Sequence, residues 1–442
     1  MCIATNREEL LGLSVLNVGQ VRGQNKNTKR IWIANSNITK SFNIGDSVTV
    51  DYDKQNEEII IHKSEGLGNH TISSRSGREP IIDIKNRLVE ETLGDVEKVE
   101  VRFYKNKAVI RISSKDRHVK ERASKNGLNV FEIFSGAGTL SHFFKKAGFN
   151  ISGALEMCDK YLTMYKRNHG EHIFSVNARL EDFQPNDFPK NIDVALVGIP
   201  CNKFSPGNLS MQQALKDKSS ESKHIVERYE AEALTFHVLN AIVAMNPKMV
   251  VVEEVEEYSR TSAAMMLRTI LMQYGYSLNE TVSEGKHTKR KRWCLVASGT
   301  NKISLDNLSA DDGKTIANLL EVPIEHRVWK TAEENIRVSG MLRKGLGIRD
   351  CIPSDIKCNA FTTNGTRHTE PILKHPAKEL YSEFSTEEIK NIHGLNGFVL
   401  SGVKTVDREI LGQGVTDMFA TIADRVKQEL LGVNLPTEVS HV

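Results

Sequence analysis

The stretch "LNVFEIFSGAGTLSHFFKKAGF", Leu128 to Phe149, holds three kinds of chain in succession. Apolar residues of β-branched and aromatic type come first, as in a buried strand, and "SGAG" follows as a turn. Leu140, Phe143, Phe144 and Ala147 then recur at helical spacing. The rhythm returns downstream, where "DVALVGI", "MVVVEEV" and "RWCLVAS" alternate with "EAEALTFHVLNAIVAMN" and "TSAAMMLRTILMQYG". Such alternation predicts an α/β fold on a parallel, doubly wound sheet. Ligands of these sheets bind at the carboxyl ends of the strands, so "SGAG", "PCNKFS" and the glutamates of "VVVEEV" fall on one rim.

Each rim segment suits a chemical task. Gly136 and Gly138 allow a tight turn and close ligand approach, and the next helix presents free N–H groups. In "ALEMCDKY" a second strand ends on Glu156, at the distance where dinucleotide-type folds place an acid for ribose hydroxyls. The phosphate pattern GxGxxG fails at Ser141, which favours a nucleoside cofactor without phosphates, such as S-adenosylmethionine. Cys201 sits at a strand tip beside Pro200, before polar Asn202, Lys203 and Ser205, and reads as an accessible, activated thiolate. Glu253 and Glu254 emerge together from the neighbouring strand. A carboxyl facing the cleft can stay protonated and donate to a ring nitrogen, whereas "EEVEEYSR" also reads as an acidic helix start. "KHTKRKRW" runs straight into an apolar strand, so alternate residues Arg290 and Arg292 are expected to point into the cleft.

The remaining chain is organised around this block. Its 442 residues allow two or three domains; 39% are hydrophobic, 26% charged, and the net charge is +3, which permits a polyanionic partner without requiring one. No apolar run is long enough to cross a bilayer, and the start shows no signal peptide, so a reduced, cytoplasmic setting is expected. The six cysteines lack CxxC spacing, which argues against zinc or a disulfide framework. Residues 1–114 read as a β-rich domain with an internal echo: "RIWIANSNITKSFNIGDSVTVDYDKQNEEIII" is answered by "PIIDIKNRLVEETLGDVEKVEVRFYKNKAVIRI". The spacing and the Gly-Asp pair resemble the swapped-hairpin fold of AbrB-type DNA-binding proteins, while a scaffold or assembly role fits as well. Residues 115–127, polar and basic, read as a linker.

In this order the segments from Leu128 onward resemble the DNA cytosine-5 methyltransferase family. "FSGAGTLSHFFKKAGF" is similar to its cofactor motif, "ALEMCDKYLTMYKRNHG" to its ribose motif, "GIPCNKFSPGN" to its nucleophile loop, "VEEV" to its Glu-Asn-Val and "TKRKRWCLVA" to its Gln-x-Arg-x-Arg. "STEEIKNIHGLNGF" and "LGQGVTDMFATIADRV" resemble the two closing motifs. The resemblance implies a catalytic domain over 128–300, target recognition over 301–381 and returning motifs over 382–442.

It also implies roles. Cys201 would attack C6 of a flipped-out cytosine, Glu253 would bind the N3/N4 edge, and Arg292 with Arg290 would hold the pyrimidine carbonyl or a phosphate. Phe134, Ser135, Gly136, Gly138, Thr139, Leu140, Glu156, Met157, Asn177, Ala178, Pro200, Gln413 and Val415 would bind S-adenosylmethionine, with Phe134 stacking on adenine. No metal is implied. Double-stranded DNA is the expected partner, a cognate restriction enzyme a candidate one; transfer RNA as substrate and a DNA-binding regulator are the alternatives. Asn177, Asn202, Glu254, Thr288 and Gln413 depart from the family's Asp, Gln, Asn, Gln and Asn. Arg327, Arg337, Arg343, Arg349 and Arg367 are expected to read the DNA target.

Overall fold

The computed structural model describes residues 8–21, 28–75, 77–171, 173–200, 221–363 and 370–432. The chain forms two units, Met1–Glu121 and Arg122–Val442.

The first unit contains strands β1 (Gly12–Asn17), β2 (Lys29–Ile33), β3 (Ser47–Asp53), β4 (Glu58–Lys63) and β5 (Glu79–Lys85), helix α1 (Arg87–Leu93), and strands β6 (Lys98–Tyr104) and β7 (Lys107–Ile112). The internal echo is a structural repeat. Strand β2, a 3-10 turn at Ile38–Lys40 and the hairpin β3–β4 are answered by β5, α1 and the hairpin β6–β7. Equivalent strands pair with each other: in β2–β5, Ile31 faces Ile84 and Ile33 faces Ile82; in β4–β7, Glu58 faces Arg111 and His62 faces Lys107. Each register maps onto itself when the copies are exchanged, so the halves are related by a local two-fold and share one isoleucine-rich core. The repeated Gly-Asp pair has a backbone reason, because Gly45 and Gly94 both take positive φ, +86° and +76°.

The stretch expected as a linker is helical over Ser114–Ser124 (α2). Ser113 starts it, its hydroxyl accepting from Asp116 N and its carbonyl from Arg117 N. Apolar periodicity missed this helix because its buried residue is Arg122, whose guanidinium donates to Tyr274 O at 2.6 Å and lies 4.0 Å from the Tyr276 ring centroid.

The second unit comprises β8 (Asn129–Ile133), α3 (Thr139–Lys146), β9 (Asn150–Glu156), α4 (Asp159–His169), β10 (Phe174–Asn177), β11 (Val194–Gly198), α5 (Glu221–Met245), β12 (Met249–Glu254), α6 (Ser262–Gln273), β13 (Ser277–Ser283) and β14 (Arg292–Ser298). It continues through α7 (Ile336–Arg343), short strands β15 (Asp350–Cys351), β16 (Ile372–Lys374) and β17 (Tyr381–Ser382), and helices α8 (Thr386–Ile392), α9 (Lys404–Gln413) and α10 (Met418–Leu431). The seven-stranded sheet has the order β10-β9-β8-β11-β12-β14-β13. Strands β8 to β12 run parallel, but β14 is antiparallel to both its neighbours, so the sheet is mixed rather than wholly parallel. The reason is local: β13 and β14 are joined by a short loop with no crossover helix, which returns the chain antiparallel.

Helices cover both faces. Phe143, Phe144, Leu162, Phe419 and Ile422 of α3, α4 and α10 pack on one side, and Val238, Ile242, Leu267 and Leu271 of α5 and α6 on the other. The chain order reverses at β8, which has β9 on one side and β11 on the other, and the crevice of a doubly wound sheet opens at this switch point. The region expected to recognise the target has its own small core of Val338, Met341, Ile372 and Tyr381.

Candidate active site

Strand β8 delivers Phe134 with φ at +57°, a left-handed conformation that is costly for a side chain with a Cβ. The turn is held regardless, with Phe134 N donating to Leu155 O at 2.9 Å. Gly136 and Gly138 follow at φ +51° and +86°. A Cβ on Gly138 would come within 2.4 Å of His169 Nε2, so this position requires glycine for space as well as for φ. Glu156, at the end of β9, accepts from Gly136 N and Cys158 N, both at 2.8 Å, one through each carboxylate oxygen. It thereby fixes the glycine turn while keeping lone pairs for hydroxyl donors.

These residues open on a cavity of about 300 Å³. Of the residues expected to bind the cofactor, Phe134, Ser135, Gly136, Thr139, Leu140, Glu156, Met157, Pro200, Gln413 and Val415 line it, together with Glu253, which was expected to contact the cytosine. Gly138, Asn177 and Ala178 are not in its wall. Gly138 shapes the turn from behind, and Asn177 pairs with Glu156 in the sheet register, its Nδ2 3.4 Å from Asp159 Oδ1. Val415 N donates to Thr139 Oγ1 at 3.3 Å, which joins the C-terminal segment to the first turn of α3.

The wall also contains Glu132, Cys158, Tyr161 and Ile410, which the sequence reading missed. Glu132 carried a signal, being a carboxylate inside an apolar strand. It is buried, accepts from the Ser141 hydroxyl, and Ser141 in turn lies 2.9 Å from Tyr165 Oη. Burial, reinforced by repulsion from Glu156 and Glu253, pushes its pKa up to about 8. Tyr161 carried no comparable signal, since an aromatic residue in the first turn of a helix is common in any core.

The two adjacent glutamates separate cleanly. Both belong to β12 and not to a helix start, which begins as a 3-10 turn at Glu256. Glu253 lines the cavity and pairs with Arg292 at 2.6 Å. Glu254 is fully buried; one oxygen accepts from Val255 N and the other has no partner. Burial, then the charge of Glu253, holds its pKa well above the usual carboxylate range.

Arg290 departs from expectation. It donates to Phe361 O at 3.1 Å and Gly412 O at 2.7 Å, bracing the chain around the cavity, and neither it nor Arg292 is in the cavity wall. Among the arginines expected to read DNA, Arg327 is buried in an ion pair with Glu388 at 2.5 Å and bonds Ser382 Oγ, while Arg337 pairs with Glu383 at 2.9 Å. Both hold the fold. Arg343 and Arg349 are exposed. Cys201, Asn202 and Arg367 lie outside the described residues; Pro200, next to the cysteine in the chain, is in the cavity wall.

The family model for C-5 cytosine-specific DNA methylases matches residues 128–409. The chain belongs to this family. The methylase match begins at the first strand of the sheet and leaves the N-terminal unit outside it. Curated relatives include the type II methyltransferases M.HindV of Haemophilus influenzae, 23% identical over 286 residues (59% of this chain, 89% of the relative), and M.NgoPII of Neisseria gonorrhoeae, 23% identical over 212 residues (46% of this chain, 57% of the relative). Among solved structures, the Dnmt2 methyltransferase of S. pombe has a TM-score of 0.54 at 18% identity, covering 70% of this chain and 99% of that one. Entamoeba histolytica EhMeth follows at 0.52 and 19%, with the same coverage. These two likenesses bear on the fold alone.

The protein is therefore a cytosine-5 methyltransferase whose methyl donor is S-adenosylmethionine. The cavity suits that donor: Glu156 and Glu253 line it, and among the described residues its lining holds no lysine or arginine, matching a cationic sulfonium. No helix among the described residues is long and apolar enough to cross a membrane.

Proposed function

We propose that the protein methylates C5 of cytosine in double-stranded DNA through a covalent adduct with Cys201. The observation that carries this reading is Glu253 in the cavity wall with Pro200, braced by Arg292. That arrangement puts an oriented carboxyl beside the methyl donor's cavity, in a wall that also holds Pro200, the residue before the nucleophile in the chain.

Each group then has a defined task. The cytosine leaves the helix stack, because C6 is shielded within it. The Cys201 thiolate adds to C6 while Glu253 gives a proton to N3 and accepts from the N4 amino group, so the electron pair displaced from the C5–C6 bond is not stranded as a free carbanion. When bound, S-adenosylmethionine supplies an electrophilic methyl group to C5. The N3 proton returns to Glu253, and loss of the C5 proton to water re-forms the C5–C6 double bond and expels the thiolate. Arg292 holds Glu253 in position by an ion pair. The buried Glu254, kept neutral, resembles the family's asparagine in carrying no charge next to this pair.

Target selection falls to exposed Arg343 and Arg349, since Arg327 and Arg337 are committed to internal ion pairs. The type II names of the relatives support a role beside a restriction enzyme. The test is transfer of tritium from labelled S-adenosylmethionine to a randomised duplex library and to transfer RNA. Duplex DNA should be labelled at cytosine within one motif, and alanine at Arg343 or Arg349 should relax that motif. Labelling of RNA alone, or retained turnover with Cys201→Ser, would overturn the proposal.

A further inference from the structure

Side chains of two helices meet at the rim of the cofactor cavity. Helix α4 brings Lys160 and Tyr161 to its rim, and helix α9 brings Glu409 and Gln413, one turn apart and hence on one face. Gln413 Nε2 donates to Tyr161 Oη at 3.1 Å, and the Tyr161 hydroxyl donates to Glu409 Oε2 at 3.2 Å. Lys160 pairs with the same Glu409 oxygen. The hydroxyl thus accepts once and donates once, joining residues 252 positions apart in the chain. Tyr161 and Gln413 both line the cavity, while Gln413 is also exposed to solvent. The bond therefore spans the wall between cavity and solvent.

We propose that Tyr161, Gln413 and Glu409 form a side-chain strap that gates cofactor exchange. All three of its contacts are made by side chains, so rotamer changes at the strap break it. The bonds lie at the surface, where the Lys160–Glu409 pair is weak, so closure is reversible. Glutamine at 413 matters because its extra methylene carries the amide to the Tyr161 hydroxyl; asparagine, the family residue, is shorter by that group. Exchange matters for turnover because the demethylated cofactor must leave before the next methyl group arrives.

The strap rests on the reading that this cavity holds the cofactor, so the experiment tests the two separately. Release of labelled S-adenosylhomocysteine from the full-length protein is timed by rapid filtration after a chase of unlabelled ligand. Gln413→Asn and Tyr161→Phe should each speed release by about 3–10-fold, the factor expected for one net hydrogen bond. The double variant should be no faster than the faster single one, because both changes break the same bond. A purely structural tether would instead lower thermal stability with release unchanged. Unchanged release, or additive effects of the two substitutions, overturns the strap. Cofactor affinity that is indifferent to Glu156→Gln would overturn the cavity assignment itself.

Discussion

Buried carboxylates are treated in opposite ways at Glu100 of the N-terminal unit and at Glu132 and Glu254 of the methylase unit. In the N-terminal unit Glu100 is buried on β6, yet Arg102 and Arg111 both bond it, Arg111 at 2.9 Å. Burial alone would push its pKa up; the two arginines outweigh that and hold it below the usual carboxylate range. In the methylase unit Glu132 and Glu254 are at least as buried, no arginine or lysine among the described residues bonds them, and both are shifted upward. A charge that is matched by cations stabilises a scaffold. Carboxylates gathered without cations beside a cavity cost stability and persist where a cationic ligand or a proton transfer uses them. This contrast, independent of any motif, points to the strand tips as the place of chemistry.

The contrast breaks most sharply if the wrong carboxylate was chosen. Glu253→Gln should lower methyl transfer by roughly 10²–10⁴-fold, the range for loss of a positioned acid–base group. Glu254→Asn, which restores the family residue, should leave transfer within about 10-fold by the same assay. The opposite ranking would exchange their roles.

Stability against pH sharpens the same comparison with a smaller effect. Glu132, raised to about 8, contributes stability that is complete below the usual carboxylate range and is lost as pH rises towards 8. Glu100, lowered, contributes stability present above the usual carboxylate range and lost as pH falls below it. Denaturant titrations at pH 5 and 8 should therefore show Glu132→Gln flattening the decline on the alkaline side, each unit of separation being worth about 1.4 kcal/mol. Glu100→Gln should lower stability at both values by about 1 kcal/mol, because its arginines are partly exposed. Equal slopes for both variants would remove the distinction between the units.

The sequence shows the strand tips more clearly than the walls between them. Glu156 was legible because β9 ends on it at the rim, and Glu253 because it emerges in a pair of carboxylates at the end of β12. Glu132, one residue before the end of β8, was hidden because the run around it reads as apolar. Arg327 and Arg337 were misread as DNA-facing because their partners Glu388 and Glu383 lie far along the chain, 61 positions away in the first case, and no local pattern reveals such a pair. Helix α2 escaped for a related reason, since one arginine over a tyrosine anchors it in place of an apolar stripe. The mixed sheet was unreadable because the direction of β14 follows from the length of a loop, not from the composition of a strand.

The central claim is that a thiolate at residue 201 and a carboxyl at residue 253 act together on a cytosine taken from duplex DNA. Incubation with S-adenosylmethionine and a duplex containing 5-fluorocytosine tests it most directly, because fluorine at C5 cannot leave as the proton does and the adduct is trapped. Mass spectrometry should find one DNA strand bonded to the peptide bearing Cys201, with the methyl group already transferred, and no adduct with Cys201→Ser. An adduct on another residue, or methylated DNA with no adduct at all, would contradict the account.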